Sequence, residues 1–200
     1  CCYVVLRVSR VGRSLPDVGG TVTEYRFDTE EFYSSEEFHV DREAADHLHE
    51  EGHGARIRTV AGLVNALFQE IGTEKFLIDY GCGNGGLLSL LEGDDLLGLD
   101  FCRANVDQAV ELGRPVVFSN FVETSYRSDV AVLSEVLEHM VDPHGFLKDL
   151  QTTYLVASVP NGETPDSHYP YHLWGWDVEG FQNVLEGAGY EVMLGGVFEG

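Results

Sequence analysis

The sequence predicts an α/β protein with a Rossmann-like, doubly wound and mostly parallel sheet flanked by helices. Two observations carry that prediction. An apolar run, Phe76-Leu77-Ile78-Asp79-Tyr80, ends in an acid and passes through alternating glycines, Gly81-Cys82-Gly83-Asn84-Gly85-Gly86, into the apolar-rich Leu87–Leu91. A second apolar run, Leu96-Leu97-Gly98-Leu99, then ends in Asp100. A strand, a tight loop, a helix and a second strand in that order open a βαβ unit of the nucleotide-binding type.

The remaining elements follow in order. Residues 1–40 read as an N-terminal extension, with a strand-like fragment at its start and an acidic, aromatic stretch from Gly19 to Val40. Residues 41–200 read as one domain. From Asp41 to Ile71 the pattern turns helical, with Ile57, Val60, Ala61, Val64, Leu67 and Phe68 recurring at spacings of three and four. Gly72 ends that helix. Strands are expected at Phe76–Tyr80, Leu96–Phe101, Val116–Ser119, Val130–Ser134 and Tyr154–Val159, with helices between them. A last helix spans Phe181–Glu186, and a sixth strand spans Tyr190–Phe198.

The glycine loop constrains the ligand. Glycine lets the backbone approach a ligand with no Cβ in the way, and the start of a helix presents unpaired N–H groups. Gly81-x-Gly83-x-x-Gly86 satisfies the dinucleotide pattern literally. Asp79, two residues before the first glycine, argues against a pyrophosphate, which it would repel, and for an ammonium or an amino-acid moiety. Asp100, at the end of the next strand, is placed to accept hydrogen bonds from both hydroxyls of a ribose. An acid for an amino-acid group and another for a ribose suit S-adenosylmethionine better than a nicotinamide dinucleotide.

Ile78-Asp79-Tyr80-Gly81-Cys82-Gly83-Asn84-Gly85 resembles the first motif of the class I S-adenosylmethionine-dependent methyltransferases. Asp129–His139 resembles their fourth-strand motif, and Leu155–Asn161 their fifth strand and its exit. The likeness runs from about Lys75 to Val192. It implies S-adenosylmethionine as cofactor, with Asp79, Gly81, Cys82, Gly83, Asn84 and Gly85 around the methionine part and Asp100 on the ribose. Phe101 would pack on the adenine, Asn120 and Phe121 would border its amino edge, and Ser134 and Glu135 would lie near the sulfonium. Family members usually carry a seventh, antiparallel strand. The C-terminus supplies none, so an unpaired sheet edge and a truncated chain are expected. The entry to the fifth strand, Leu150-Gln151-Thr152-Thr153, also lacks the usual Pro-Gly-Gly-like turn, a compactness loosely shared with methyltransferase-like proteins of methionine biosynthesis.

Glu135-x-x-Glu138-His139 poses the catalytic question. Residues three and four apart share one helical face, so these three side chains are expected around one point. The segment containing His172 resembles that of small-RNA 3′-end 2′-O-methyltransferases, in which two acids and two histidines hold a divalent metal. The ubiquinone-pathway O-methyltransferases share the Glu-x-x-Glu-His element. Two readings stand side by side. Glu138 and His139 are catalytic, with His139 as general base, or Glu135, Glu138, His139 and His172 bind Mg, Mn or Zn. His47, His49 and His53 read as a surface face or a lid over the cofactor rather than a metal site. Tyr25–His53 and Thr164–Trp176 are expected to cap the substrate pocket.

Composition narrows the partners. The formal net charge is −22, from 34 acids against 12 bases, with Lys75 and Lys148 the only lysines. Such a surface repels phosphate backbones, so nucleic acid is an unlikely partner and a small-molecule methyl acceptor is expected. A small neutral or cationic substrate, or a basic partner, fits such a surface; adaptation to salt or a lineage bias is the alternative reading, and the favoured one. No apolar run approaches the roughly 18 residues of a membrane span. The four cysteines show no metal-type or redox spacing, which fits a reducing, cytoplasmic setting; oligomeric state has no sequence signature. The function expected is O-methylation of a small molecule. Its alternatives are methylation of an RNA end and a cofactor-binding regulatory protein without turnover.

Overall fold

The computed structural model describes residues 2–10, 23–27, 43–50, 52–124 and 126–198. Most of the acidic aromatic stretch, including Phe32, Tyr33 and Phe38, lies outside them. Nine strands, β1 (Cys2–Arg10), β2 (Glu24–Arg26), β3 (Phe76–Tyr80), β4 (Asp95–Asp100), β5 (Val116–Phe118), β6 (Val130–Ser134), β7 (Tyr154–Pro160), β8 (Trp174–Trp176) and β9 (Tyr190–Phe198), are described. With them are four α-helices, α1 (His53–Ile71), α2 (Arg103–Glu111), α3 (Pro143–Asp149) and α4 (Val178–Gly187).

The main sheet has the order β5-β4-β3-β6-β7-β1-β9. Its first five strands are mutually parallel. Parallel strands are buried on both faces, and here the alternation of side chains along each strand sorts them into two cores. Leu77, Val130, Val132 and Val156 face Val60, Val64, Leu67 and Phe68 of α1. Ile78, Tyr80, Ala131, Leu133, Leu155 and Ala157 face Leu147 of α3 and Phe181, Val184 and Leu185 of α4. The doubly wound α/β sheet is therefore as the apolar runs predict.

Three features depart from the sequence reading. The edge expected to stay unpaired is filled by β1, which runs antiparallel to β7 on one side and to β9 on the other. A strand from the segment read as an extension thus occupies the antiparallel position. β2 likewise pairs with β8 in a separate two-stranded sheet. Second, the segment after the glycine loop forms only a 3-10 turn over Leu88–Leu90. Two glycines before it and Gly93 shortly after leave too few residues for an α-helix to nucleate. Third, the helix expected from Asp41 starts at His53, and residues 43–50 are irregular chain with a turn at 47–49 whose Leu48 lies on Gly86 of the glycine loop.

Candidate active site

Both groups of candidate residues lie at the carboxyl ends of β3, β4 and β6, where open α/β sheets bind ligands. At the β3 exit, Gly83 takes φ 58°, and a Cβ built on it would meet nothing closer than Asn105 Nδ2 at 4.0 Å. The loop therefore presents bare backbone toward open space. Its neighbour Gly81, at φ 67°, is fixed from the other side, since a Cβ there would lie 2.7 Å from Val136 Cγ2.

Asp79 and Asp100 are both buried. Burial pushes the Asp79 carboxyl well above its ordinary value, and the nearby Asp100 adds to the rise. Asp100 is held from several directions: Oδ2 accepts from Gly83 N at 2.8 Å, while Oδ1 accepts from Cys102 N at 2.8 Å and from Asn105 Nδ2 at 3.3 Å. Its carboxylate therefore ties the glycine loop to the end of β4. Asp79 beside an open glycine loop fits a ligand bearing an ammonium and a ribose, because a positive group there compensates a buried acid.

The other expected cofactor residues divide. Asn84 is turned away, with its amide donating to Gln108 Oε1 at 2.7 Å and its Oδ1 accepting from Arg114 at 3.0 Å. Cys82 packs toward Gly98, whose added Cβ would lie 2.5 Å from Cys82 Sγ. Phe121, expected to border the adenine edge, is a core residue. Its ring is buried in edge contact with Tyr80 and Phe146, at centroid distances of 5.4 and 6.1 Å, and it lines a cavity of about 350 Å³ with Tyr126 and Phe146. Phe101 packs on the same core, whereas Asn120 is exposed.

The β6 exit assembles the second group. Glu135 has φ 57°, the only positive value for a non-glycine among the described residues. Such a conformation costs about 1–3 kcal/mol and persists only where its surroundings hold it. Here Glu135 N donates to Ser158 O at 2.9 Å, Oε1 accepts from Ser158 Oγ at 3.0 Å, and Oε2 pairs with Arg56 at 3.5 Å. A 3-10 turn over Leu137–His139 follows, so the three-and-four spacing does not lie on an α-helix. It turns Glu138 inward, completely buried, with neither carboxylate oxygen hydrogen-bonded among the described residues. Burial, then the charge of Glu135, pushes the Glu138 carboxyl well above its ordinary value.

The segment ahead of β8 brings His172 to this point. Leu173 N donates to Glu138 O at 2.8 Å, and the rings of His139 and His172 meet edge to face with centroids 4.6 Å apart. Donor atoms of Glu138, His139 and His172 all lie within 4.8 Å of one another. Glu135 is outside that group, being committed to Ser158 and Arg56; the structure thus brings together three of the four residues expected to bind metal. Both imidazoles are oriented. His139 Nδ1 donates to the carbonyl of Tyr171 at 2.9 Å, and His172 Nδ1 to Glu163 Oε2 at 2.6 Å. Each bond fixes the tautomer and leaves Nε2 with the lone pair. A buried carboxylate lacking partners beside two such imidazoles fits a divalent cation in both charge and donor type.

Sequence reasoning missed two residues here. Glu163 carries no motif, and only the fold shows it behind His172. Arg56 is one arginine in a helical stretch; in the structure its side chain is mostly buried, and its Nε has no partner among the described residues. The aromatic cap also sorts itself. Trp174 and Trp176 are buried core residues stacked 6.0 Å apart, while Tyr169 is about half exposed and meets His172 at 5.0 Å.

Comparison with known proteins bears on the family and the fold. A family described as a methyltransferase domain matches residues 52–194. A search of the curated proteins returns no match. Among solved structures, magnesium protoporphyrin IX methyltransferase from Synechocystis PCC 6803, with bound S-adenosylmethionine, superposes with a TM-score of 0.56 at 14% identity, covering 80% of each chain. The [4+2]-cyclase SpnF gives 0.51 at 17% identity, over 78% of this chain and 76% of its own. A methyltransferase of Thermotoga maritima, described as a possible histamine N-methyltransferase, gives 0.50 at 17%, over 68% and 73%. At these identities the likeness is one of fold.

Proposed function

This chain belongs to the methyltransferase-domain family, and we propose that it transfers a methyl group from S-adenosylmethionine to a hydroxyl of a small molecule at a metal-assisted site. One observation carries the proposal: Glu138 is buried with no hydrogen-bond partner among the described residues, and donor atoms of His139 and His172 lie within 4.8 Å of its own. The cofactor supplies a methyl already activated on a sulfonium. What remains for the protein is to align the acceptor, exclude water and manage one proton.

The residues divide that work. Asp79 would take the cofactor's ammonium and Asp100 its ribose, with bare backbone at Gly83 allowing close approach. The Arg56 guanidinium, with Nε unbonded, suits the carboxylate of the methionine part. Glu138, His139 and His172 would hold a divalent ion, Mg, Mn or Zn, with Glu163 and the Tyr171 carbonyl orienting the two histidines. An ion there would lower the pKa of an acceptor hydroxyl. In the metal-free form of the same chemistry, Nε2 of His139 takes the proton. Tyr169 and Tyr171, 5.4 Å apart beside His172, offer aromatic surface for a planar acceptor.

Methylation of an RNA end is kept as a second reading because His172 joins Glu138 and His139, which supplies both histidines and one of the two acids of that resemblance. The net charge of −22 opposes it. The test is transfer of labelled methyl to a panel of phenols, sugars and short RNAs, with and without a chelator. Turnover on a small hydroxyl compound that stops with the chelator and returns with Mg or Mn supports the proposal. Chelator-insensitive turnover lost in His139→Ala favours the histidine base. Cofactor binding with no product on any acceptor points to a binding protein, a real option on a fold that also hosts a cyclase.

A further inference from the structure

A second cluster of ligating side chains lies away from Glu138. Residues 46–50 form a turn, with His49 N donating to Asp46 O at 3.0 Å. Gly52, at φ 84°, then reverses the chain into α1. This reversal folds His53, the first residue of the helix, back over His47, with ring centroids 4.9 Å apart. Glu50 completes the group: His47 Nδ1 bonds Glu50 Oε2 at 2.7 Å. Donor atoms of His47, Glu50 and His53 lie within 4.8 Å of one another.

We propose that His47, Glu50 and His53 form a second divalent-metal site, of the zinc type, that fastens the 43–50 segment to the start of α1 beside the glycine loop. Two imidazoles and one carboxylate, leaving one position for water, are a donor set that Zn²⁺ takes tetrahedrally. Ligand atoms about 2.0–2.1 Å from zinc sit about 3.4 Å from one another in that geometry. Closing from within 4.8 Å calls for side-chain rotation, and all three side chains are partly or fully exposed.

The place of the site gives it a consequence. Ala45 N donates to Asn105 Oδ1 at 3.1 Å, and Asn105 donates in turn to Asp100. Leu48 covers the glycine loop, where a Cβ added to Gly86 would lie 3.1 Å from Leu48 Cβ. The 43–50 segment is thus a strap across the loop, and an ion at its end pins it.

The experiment uses the full chain without an affinity tag. Co²⁺ is titrated by its absorption and then displaced by Zn²⁺. Wild type should bind at the strap with micromolar or tighter affinity, and His47→Ala/His53→Ala should weaken that event by more than about 100-fold, since second-shell changes alone cost about 10–100-fold. A His172→Ala variant, or Glu138→Gln if the first misfolds, should keep the strap event. This separates it from the proposed catalytic centre, whose failure leaves the strap result standing. Zn²⁺ should also slow amide exchange over residues 45–50 in wild type but not in the double variant. Equal binding in wild type and the double variant overturns the site. Binding without slower exchange overturns the fastening.

Discussion

Replacing Glu163 tests the metal centre without touching a proposed ligand. Its Oε2 accepts from His172 Nδ1 at 2.6 Å between side chains only 16% and 11% exposed. A hydrogen bond to a charged group at such a site is worth about 1.5–3 kcal/mol, or about 10- to 150-fold in an equilibrium constant. The bond exists with or without an ion, so affinity registers only the part that strengthens when Nε2 binds a cation. That places the expected loss for Glu163→Ala at about 10–100-fold, the usual range for a carboxylate behind a metal-binding histidine. Glu163→Gln keeps an acceptor oxygen and should lose less. Mn²⁺ or Co²⁺ affinity is measured by titration alongside the melting temperature. Because Glu163 Oε1 also accepts from Tyr169 N at 2.9 Å, some thermal destabilisation is expected either way. A lower melting temperature with metal affinity of the folded protein unchanged would refute the orienting role.

Three further outcomes follow from the same geometry. Asp100→Ala should weaken S-adenosylhomocysteine binding by about 1.5–3 kcal/mol by calorimetry; it should also lower the melting temperature, because Gly83 N and Cys102 N lose their acceptor. An unchanged dissociation constant would remove Asp100 from the cofactor site. Gly98→Ala would push a Cβ to 2.5 Å from Cys82 Sγ and 2.9 Å from Leu88 Cδ1. It should cost about 1–3 kcal/mol of stability in urea unfolding, and an unmoved midpoint would contradict that packing. Glu138 gives a pH dependence. Its carboxyl titrates above the ordinary 4.5 in the native state, so the native protein binds more protons than the unfolded chain above that value. Its contribution is therefore favourable at low pH and is lost as pH rises through the native pKa. Metal-free Glu138→Gln should lose less stability than wild type between pH 4.5 and neutrality. A parallel decline in the two proteins would refute the burial argument.

The central parallel strands β3, β6 and β7 were legible because they are buried on both faces and so read as apolar runs, and the glycine loop because its conformation demands that residue type. The edge partner of β7 was not. Pairing of Cys2–Arg10 with β7 and β9 joins residues more than 150 positions apart, and no local pattern encodes such a contact. The active-site residues divide on the same ground. Glu138 and His139 belong to one short motif and could be singled out, whereas Glu163 reaches His172 only through the turns between them. Glu135 offered no sign of its left-handed backbone, which depends on Ser158 and Arg56 from two other elements. The spacing argument placed it with Glu138 on a helix; the 3-10 turn begins after it, and its carboxylate goes elsewhere.

Charge gives the arrangement its common logic. Asp79 and Asp100 crowd the cofactor side, and the charges of Glu135 and Glu163 both bear on Glu138, with Arg56 the cation that eases it. Burial and like charge hold Asp79 and Glu138 toward their protonated forms, so a cationic group arriving beside either displaces a proton. Both carboxyls would thus favour positive ligands, the proposed ammonium on one side and the proposed metal ion on the other. The exterior acidity does not produce this, because charges on the surface are screened beyond about 8–10 Å at ordinary ionic strength while buried ones are screened far less. Salt therefore separates the two proposed metal sites: rising ionic strength should weaken cation binding at the exposed His47–Glu50–His53 strap much more than at Glu138, His139 and His172, where two of the three side chains are buried.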